Sequence, residues 1–357
     1  MRVAVVGAGP AGVSAAYFLR HYDEDSSLSV DLFDRLEPRK YEEYHDMCGE
    51  AVSKKTFEDI KPIKKNSITG KIKQIREFYP GDIEIKTDMD GLLINRGEFF
   101  RSIIKAFSDN GGEFHIGEIN DFSQDNEVVK LKIEDKTEKY DYVIAADGPN
   151  SMIRDRLGVK SRTKTLIQYI VDEEPEEETI QFYYDEKYEG DYLWKFPHEG
   201  KTKIGYPFIK GKDFTPKEKI LKKQARTVAF GGVDQLIHNR ILLMGDAACQ
   251  TNPITKGGIR AAMVAGKLAA KAIANDNPYQ YQKEWEKTGF TNPIFTKAFK
   301  QLKQMNNNEL EKHIKIIEEI NTNNYLLKYF IILRIIIFYR EYLELLKSYE
   351  LCDIMGW

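Results

Sequence analysis

The distribution of apolar residues predicts a strand, a helix and a second strand in the first part of the sequence. Residues Arg2–Val6 form a short apolar run of the buried-strand type, and SLSVDLFD, which ends on Asp34, is a second one. Between them lie the glycine turn GAGPAG, residues 7–12, and a segment of helical pattern, VSAAYFLRHY. Strand, glycine turn, helix, strand and acid in this order predict a dinucleotide-binding βαβ unit.

The residues of the turn have separate predicted roles in binding a nucleotide. Gly7 permits the tight turn, Gly9 lets the backbone approach a pyrophosphate, and Gly12 allows the helix to pack closely on the strand. Ala11 lies where free N–H groups at the start of the helix meet the phosphate charge. Asp34 is placed to bind the ribose hydroxyls, which favours FAD or NAD over NADP.

Two further apolar runs predict buried strands that end near the same site. Residues 139–148 predict a strand followed by a sharp turn, and residues 240–248 predict a strand that leads into Asp246. An aspartate at the carboxyl end of such a strand suits the hydroxyl groups of a ribityl chain. The helix RAAMVAGKLAAKAI follows, and its N-terminus offers partial positive charge to an electron-rich ring edge. The turn into this helix is made by Gly257, Gly258 and Ile259.

Aromatic residues alternate along one later segment of the chain. Tyr192, Trp194 and Phe196 are spaced as on one face of a strand. An ordinary sheet face and the wall of an apolar tunnel are both compatible with this spacing.

The last part of the sequence predicts helices. Leu310, Ile314 and Ile317 have helical spacing, and YLLKYFIILRIIIFYREYLELL is the most apolar stretch of the protein. Lys328 and Arg334 interrupt that stretch, so no run reaches the roughly 20 apolar residues that a membrane span needs. We expect a core helix, with a helix lying in the membrane interface over residues 325–339 as the alternative.

Composition and charge exclude several classes of protein. The 357 residues suggest about two domains. A net charge of -3 differs from the strongly basic footprint of a nucleic-acid binder, so no nucleic-acid partner is expected. The three cysteines, Cys48, Cys249 and Cys352, cannot form a disulfide framework, a Cys-x-x-Cys zinc site or a four-cysteine cluster, and no metal site is predicted. Without a visible signal peptide, a cytoplasmic location is expected.

Three motifs resemble a known group of flavoproteins. GAGPAG, VIAADGPNS and LLMGDAACQTNPITKGGI, in this order, resemble the FAD-binding core of the group built like p-hydroxybenzoate hydroxylase, over residues 1 to about 275. The resemblance implies FAD as cofactor, with its isoalloxazine ring near residues 253–259. It also implies that Arg96, in LINRGEF, contacts the cofactor and that the backbone of Ile119 meets the adenine.

Two segments narrow the resemblance to the geranylgeranyl reductases, which saturate isoprenoid chains. The loop YHDMCGEAVS is similar to the cysteine loop of that family, and YLWKFP is similar to its aromatic substrate-cavity motif. The chain departs from the family pattern at two positions, with Glu189 in place of a usual proline and Lys256 in place of a usual glycine. The loop residues that the resemblance assigns to the site are Cys48, Gly49, Glu50 and Ala51.

The resemblance gives Cys48 a role near the flavin and the reacting alkene, where its thiol delivers a proton or shapes the pocket. A buried cysteine with a packing role is the alternative. Glu50 is the second catalytic candidate, with a solvated glutamate as its alternative. His45 is expected at the surface or in a hydrogen bond, and Lys256 points either to solvent or inward, where its charge would favour an anionic reduced flavin.

The expected fold is α/β: a Rossmann-type FAD-binding domain interleaved with a β-sheet substrate domain, followed by a helical C-terminal segment. The FAD-binding domain is predicted at 1–165 and 225–280, with small insertions of the substrate domain near 60–95. The substrate sheet is predicted at 166–224 and the helical region at 281–357. No second G-x-G-x-x-G follows a strand, so a separate nicotinamide domain is not expected.

The expected function is the reduction of isoprenoid double bonds by hydride transfer from reduced FAD. The partners implied are a prenyl-chain lipid, an external electron donor (ferredoxin, a deazaflavin or NAD(P)H) and peripheral contact with the inner face of the membrane. An FAD-dependent aromatic monooxygenase and a cluster-free flavin electron carrier to quinone are the alternatives, and a non-catalytic flavoprotein is a third.

Overall fold

The computed structural model describes residues 1–320 and 342–355. The strands of this part, in chain order, are β1 Arg2–Val6, β2 Ser29–Asp34, β3 Ala51–Ser53, β4 Ile68–Tyr79, β5 Ile83–Ile94, β6 Glu113–Ile116, β7 Ile119–Gln124, β8 Val129–Ile133, β9 Lys136–Tyr140, β10 Tyr142–Ala145, β11 Thr163–Val171, β12 Thr179–Tyr184, β13 Tyr192–His198, β14 Lys201–Pro207, β15 Ile220–Ala229, β16 Ile237–His238 and β17 Ile241–Leu243. The helices are α1 Pro10–Tyr22, α2 Pro38–His45, α3 Lys55–Asp59, α4 Arg96–Asp109, α5 Met152–Arg156, α6 Ile259–Ala274, α7 Tyr279–Glu286, α8 Ile294–Gln304, α9 Asn307–Ile320 and α10 Leu343–Met355.

The first sheet has six strands in the order β16-β17-β10-β1-β2-β6. All of them run parallel except β16, which pairs antiparallel with β17 at one edge. Residues 3–6 of β1 are all buried, as expected for a central strand of a parallel sheet that is covered on both faces. The carboxyl ends of β1, β2, β10 and β17 meet at one edge, which is where such sheets bind ligands.

Helices α1 and α6 pack against each other on this sheet. The small residues of α6 make this close approach possible, because a Cβ at Gly266 would lie 2.5 Å from the carbonyl oxygen of Ala11. The strand–turn–helix–strand unit and the small-residue helix predicted from the sequence are therefore both confirmed.

The second sheet has eight strands in the order β15-β11-β14-β13-β12-β4-β5-β3. Its neighbours pair antiparallel except β4 and β12, which are parallel. The strands come from residues 51–94, 163–207 and 220–229, so the chain passes repeatedly between the two sheets. This architecture confirms the predicted α/β class with an interleaved β-sheet. The exact domain limits stay a prediction.

Helix α7 packs on α6, whereas α8, α9 and α10 form a further helical layer that meets the second sheet at β4. Phe295 and Leu302 of α8 pack with Leu345 of α10, while Ile314 of α9 packs with Tyr79 of β4. The predicted helix at Leu310 and Ile314 is found in α9, but the apolar stretch at 325–339 lies outside the described residues. Among the helices described, none has the length and apolarity to cross a membrane.

Candidate active site

A cavity of about 1170 Å³ lies between the carboxyl edge of the first sheet and one face of the second. Nearly all site residues predicted from the sequence line this one cavity, although they come from distant parts of the chain. They are Gly7, Gly9, Ala11, Asp34, Cys48, Gly49, Glu50, Ala51, Arg96, Ile119, Tyr192, Trp194, Phe196, Asp246, Gly257, Gly258 and Ile259. Gly12 is the exception, because it packs inside the glycine turn.

The three glycines of the turn meet different surroundings. Gly7 has a φ of +97°, and a Cβ there would lie 2.3 Å from the carbonyl oxygen of Ala146. A Cβ on Gly12 would lie 1.8 Å from the carbonyl oxygen of Gly7, so this glycine serves the packing of α1. A Cβ on Gly9 would meet nothing within 4 Å. The turn therefore has open space at the position where a pyrophosphate would approach the backbone.

Asp34 ends β2 beside this turn. Its Oδ2 accepts a hydrogen bond from the Ala8 N–H at 2.8 Å, and its Oδ1 accepts one from the Leu36 N–H at 2.8 Å. Burial raises the pKa of Asp34, although these two hydrogen bonds act in the opposite direction. The carboxylate of Asp34 is thus fixed at the wall of the cavity.

Arg96 is a buried arginine at the start of α4. One guanidinium nitrogen, Nη2, lies 3.2 Å from Nδ1 of His45 and donates to it. Burial lowers the pKa of His45 well below its ordinary value, so the ring is neutral and can accept this bond. His45 is therefore buried and hydrogen-bonded and does not lie at the surface. Nε of Arg96 is buried without a hydrogen-bond partner in the described part of the chain, which leaves it available to a bound group.

The cysteine loop lies directly on the aromatic wall. A Cβ on Gly49 would lie 2.4 Å from the ring of Phe196, so only glycine allows this contact. Sγ of Cys48 accepts a hydrogen bond from the N–H of Glu50 at 3.3 Å, and Glu50 adopts a left-handed backbone with a φ of +62°. Burial raises the pKa of Cys48, so its thiol keeps its proton at neutral pH. The group suits a proton donor better than a nucleophile.

A buried lysine that the sequence analysis missed holds this loop. Nζ of Lys203 donates to Oε2 of Glu50 at 2.7 Å, to Oδ1 of Asp46 at 3.0 Å and to the Cys48 carbonyl at 3.1 Å. The other carboxylate oxygen of Glu50, Oε1, accepts the N–H of Arg96 at 3.0 Å. Glu50 is only 8% exposed, so the alternative of a solvated glutamate is wrong.

The two carboxylates around Lys203 differ in their electrostatics. Burial acts to raise the pKa of Asp46, but Lys203 and Lys222 outweigh it and hold that pKa well below its ordinary value. Lys222 lies 2.7 Å from Oδ2 of Asp46. For Glu50, burial dominates and raises the pKa, although Lys203 acts against it. Asp46 is therefore ionised, and Glu50 is the carboxyl group of the pair that takes up a proton more readily.

The predicted aromatic face is present on β13. The ring of Phe182 on β12 meets Tyr192 and Phe196 edge to face, with centroid distances of 4.9 and 5.7 Å. Trp194 covers Gly205 of β14, where a Cβ would lie 2.0 Å from its ring. The three aromatic residues line the cavity, and its wall continues across Tyr184 to Leu346 and other residues of α10. This apolar half of the cavity is a suitable surface for an extended hydrocarbon chain.

No protein-family model matches the chain. It is 30% identical to digeranylgeranylglycerophospholipid reductase of Methanosarcina mazei, over 76% of this chain and 74% of the relative. The chain belongs to the digeranylgeranylglycerophospholipid reductase family. It is also 29% identical, over 86% of its length and 88% of the relative, to digeranylgeranylglycerophospholipid reductase 2 of Methanopyrus kandleri.

The fold of this family member agrees with solved structures. A geranylgeranyl bacteriochlorophyll reductase-like protein of Thermoplasma acidophilum, Ta0516, superposes with a TM-score of 0.74 at 22% identity, over 93% of this chain and 95% of that one. The halogenase PltM, solved in complex with FAD, superposes with a TM-score of 0.60 at 12% identity, over 85% and 75% of the two chains. The expected flavoenzyme fold is thereby confirmed. The open space at Gly9 and the unpartnered Nε of Arg96 fit FAD.

The departure of this family member at Lys256 has a structural explanation. Its side chain is 6% exposed and points inward, and its Nζ lies 2.6 Å from Oδ1 of Asp191. Lys164 lies 3.2 Å from the other oxygen of Asp191. Nζ of Lys256 also lies 4.1 Å from the ring centroid of Phe299 on α8. Burial lowers the pKa of Lys256, although Asp191 opposes this shift. The buried carboxylate of Asp191 thus balances the buried charge of Lys256.

Sequence reasoning also missed Arg226, which lines the cavity of this reductase-family protein from β15. Its guanidinium lies 4.9 Å from the ring centroid of Tyr44, and its Nη1 is buried without a hydrogen-bond partner among the described residues. Arg226 of β15 and Lys203 of β14 lie on the two strands that flank β11, and Lys203 lies inside the apolar run TKIGYP. A charged residue within a buried strand is the signal that would have identified Lys203. Cys249 is buried and lies outside the cavity lining.

Proposed function

We propose that the protein is an FAD-dependent reductase that saturates carbon–carbon double bonds in the geranylgeranyl chains of lipids. The observation that carries this proposal is the continuity of one cavity. It joins the open space at Gly9 to the aromatic wall of β13, and the loop with Cys48 lies between them. Membership of the reductase family supports the same substrate class.

The residues of the glycine turn, Asp34 and Arg96, which line the cavity, would hold the nucleotide half of FAD, and the start of α6 would face the flavin ring. Reduced FAD, when bound, supplies the hydride that an alkene needs for saturation. The aromatic side chains of Tyr192, Trp194 and Phe196 exclude water and align the hydrocarbon. An isolated alkene accepts a hydride poorly, so this alignment is the protein's main contribution.

The second carbon of the double bond needs a proton, and in this proposal Cys48, which lines the cavity, provides it. Its thiol is protonated because burial raises its pKa. The loop that carries it is fixed at two points, by the contact of Gly49 with Phe196 and by the bonds of Lys203 to Glu50 and to the Cys48 carbonyl. A fixed, protonated thiol beside an apolar wall meets the geometric requirement of a general acid.

The partners of the reaction follow from the same proposal. The substrate is a prenyl-chain lipid, and an external donor such as ferredoxin, a deazaflavin or NAD(P)H reduces the flavin. The lipid has to enter the cavity from a membrane, so we propose a cytoplasmic protein with peripheral contact at the inner face. Flotation with vesicles of prenyl lipids tests this contact, and a protein that stays in the soluble fraction contradicts it.

The decisive experiment is anaerobic incubation of the dithionite-reduced protein with a geranylgeranylated glycerophospholipid, followed by mass spectrometry. A gain of two hydrogens per double bond is the expected result. Cys48→Ala is expected to bind FAD normally and to lose most of this activity. The matched control is Cys249→Ala, which removes a buried thiol away from the cavity lining. No mass gain, together with phenol-stimulated NAD(P)H oxidation in air, would replace the reductase by a monooxygenase.

A further inference from the structure

We propose that Glu50 and His198 form a proton relay that returns a proton to Cys48 after each reduction. This inference rests on the proposed function, because it concerns the second and later turnovers of that reaction. The relay begins at the side chain of His198, near the protein surface, and ends at the thiol in the cavity. Neither the family resemblance nor the sequence pattern indicated His198.

Glu50 connects the cavity with the interior of the second sheet. It lines the cavity, and its N–H donates to Sγ of Cys48 at 3.3 Å. Its Oε2 lies 3.9 Å from Nδ1 of His198. A rotation of either side chain or one bridging water closes a gap of this length. The backbone of Glu50 thus contacts the Cys48 thiol, while its carboxylate lies beside the imidazole of His198 and acts on the thiol through its charge.

His198 connects Glu50 with solvent. It is the last residue of β13, and the exposed turn at Glu199 and Gly200 follows it directly. Its side chain is 19% exposed, whereas Glu50 is buried. His198 also lies 3.9 Å from Oδ1 of Asp46. It is therefore the half-buried titratable group that stands between the surface and Glu50.

Lys203 holds the relay in place. Its Nζ donates to Asp46 and Glu50, and its side chain is 1% exposed. Asp46, Glu50 and His198 have the spacing of a three-ligand metal site, but the ammonium group of Lys203 bridges the two carboxylates. Asp46 is bound in addition by Lys222 and Gln224 and stays ionised. Its negative charge compensates Lys203, which leaves Glu50 as the carboxyl group that exchanges a proton.

The steps of the relay balance without any oxidant or reductant. When Cys48 protonates the substrate carbon, its S–H bond breaks, a C–H bond forms and a thiolate remains. The imidazolium of His198 then gives its N–H proton to the carboxylate of Glu50, and the O–H bond formed there breaks as the S–H bond of Cys48 forms again. His198 takes the next proton from solvent. The charge of the thiolate is thus cancelled before the next double bond is reduced.

The electrostatics of the cluster are consistent with this direction of transfer. Burial raises the pKa of both Cys48 and Glu50, so the thiolate is a strong base and the carboxyl group holds a proton more readily than in water. Burial and Lys203 lower the pKa of His198, so its imidazolium gives up its proton easily. The charged groups that face Glu50 from the neighbouring elements are Lys203 on β14, Asp46 and Cys48 in the loop, His198 on β13 and, near Cys48, Arg226 on β15.

The experiment compares the first turnover with the later ones. In pre-reduced enzyme the thiol of Cys48 already carries its proton. His198→Gln should therefore leave the single-turnover rate within about twofold of wild type and lower the steady-state rate about tenfold or more. Added imidazole should restore most of the steady-state rate. An equal loss in the first and the later turnovers, or an unchanged steady-state rate, would overturn the relay.

A control variant and a second readout separate the relay from damage to the fold and from failure of the proposed function. His238→Gln changes a histidine on the outer strand β16, where it contacts the carbonyl of Gln235, and should affect neither rate. The second readout is the pH dependence of Cys48 alkylation by iodoacetamide, followed on its peptide by mass spectrometry. Glu50→Gln should shift the midpoint to lower pH, because the glutamate charge opposes the thiolate. An unchanged midpoint would overturn the coupling even if the lipid is never reduced.

Discussion

The hydroxyl group of Tyr192 donates a hydrogen bond of 2.5 Å to the backbone carbonyl of Thr255. This bond joins the aromatic wall of β13 to the loop that precedes α6, where the flavin ring is proposed to lie. The neighbouring pair, Asp191 and Lys256, joins the same two segments through an ion pair. The aromatic wall proposed for the hydrocarbon and the loop proposed for the cofactor are therefore linked by contacts of two consecutive residues, Asp191 and Tyr192.

The first prediction concerns the hydrogen bond of Tyr192. Tyr192→Phe keeps the ring and removes only the donor, which costs about 1 kcal/mol for a typical hydrogen bond. We expect FAD affinity to fall about fivefold, because the loop before α6 loses an anchor, and this is measured by flavin fluorescence titration. Tyr184→Phe, which removes a hydroxyl bonded to Glu77, serves as control and should leave FAD affinity unchanged. Equal affinity in both variants would show that the loop needs no such anchor.

The second prediction concerns the buried pair of Lys256 and Asp191. Removing one partner of a buried ion pair leaves the other charge uncompensated, which costs about 3–5 kcal/mol. Asp191→Asn should lower the free energy of unfolding by about this amount, because Lys256 is then buried without its carboxylate. The double variant with Lys256→Met should recover part of the loss, since both charges are gone. Urea denaturation measures the free energy of unfolding of each variant. If the losses in the two single variants simply added up in the double variant, the pairing of Asp191 with Lys256 would be contradicted.

The third prediction compares two glycines of the same turn. Gly9→Ala adds a methyl group where nothing lies within 4 Å, so the fold should keep its melting temperature. The methyl group fills the space proposed for the pyrophosphate, and FAD affinity should fall about tenfold or more, or about 1.4 kcal/mol. Gly12→Ala places its methyl group 1.8 Å from the Gly7 carbonyl oxygen and should lower stability by about 3 kcal/mol or more. If Gly9→Ala bound FAD with the affinity of the wild type, the pyrophosphate would not bind at Gly9.

The fourth prediction concerns acid stability. The pKa of Asp46 in the folded protein lies below its ordinary value of 3.8, because Lys203 and Lys222 outweigh the effect of burial. The unfolded chain therefore binds more protons than the folded one below pH 3.8, and stability falls there as the pH falls. Asp46 contributes up to about 1.4 kcal/mol per pH unit to this slope.

Urea denaturation of Asp46→Asn between pH 2 and 5 checks this contribution. The variant should be less stable than wild type near neutral pH and should lose less stability as the pH falls through this range. Asp88→Asn, at an exposed position of β5, is the control. Parallel pH profiles for wild type and Asp46→Asn would show that the two lysines do not stabilise the ionised form.

Local patterns were sufficient to predict much of this protein. The apolar run before Gly7 and the acid at Asp34 were enough to predict the first βαβ unit. Buried strands and glycine turns are determined by residues that are close together in the sequence, so their pattern can be recognised there. The alternation at Tyr192 likewise predicted a strand with one aromatic face. These features depend only on short stretches of the sequence.

The polar cluster behind Cys48 could not be predicted in this way. His198 and Lys203 lie on paired neighbouring strands, β13 and β14, but Asp46 is 157 residues away from Lys203 in the sequence. Asp46 meets them only because the fold brings the loop after α2 against the second sheet. A lysine in a strand ordinarily points to solvent, so its burial against two carboxylates depends on tertiary structure. The inward direction of Lys256 has the same origin, because Asp191 belongs to another segment.

The alternation of the chain between its two sheets has a consequence for how the protein folds. Strand β17 pairs with β10, and β15 pairs with β11, so both sheets contain strands from early and late parts of the chain. Strand β4 can pair with its parallel partner β12 only after about 100 further residues have been synthesised, and the second sheet is incomplete until then. Pairings over such long separations make folding slow. The second sheet has all of its strands only at Ala229 and the first sheet only at Leu243, so the cavity between them forms only late in synthesis, when α6 has been made.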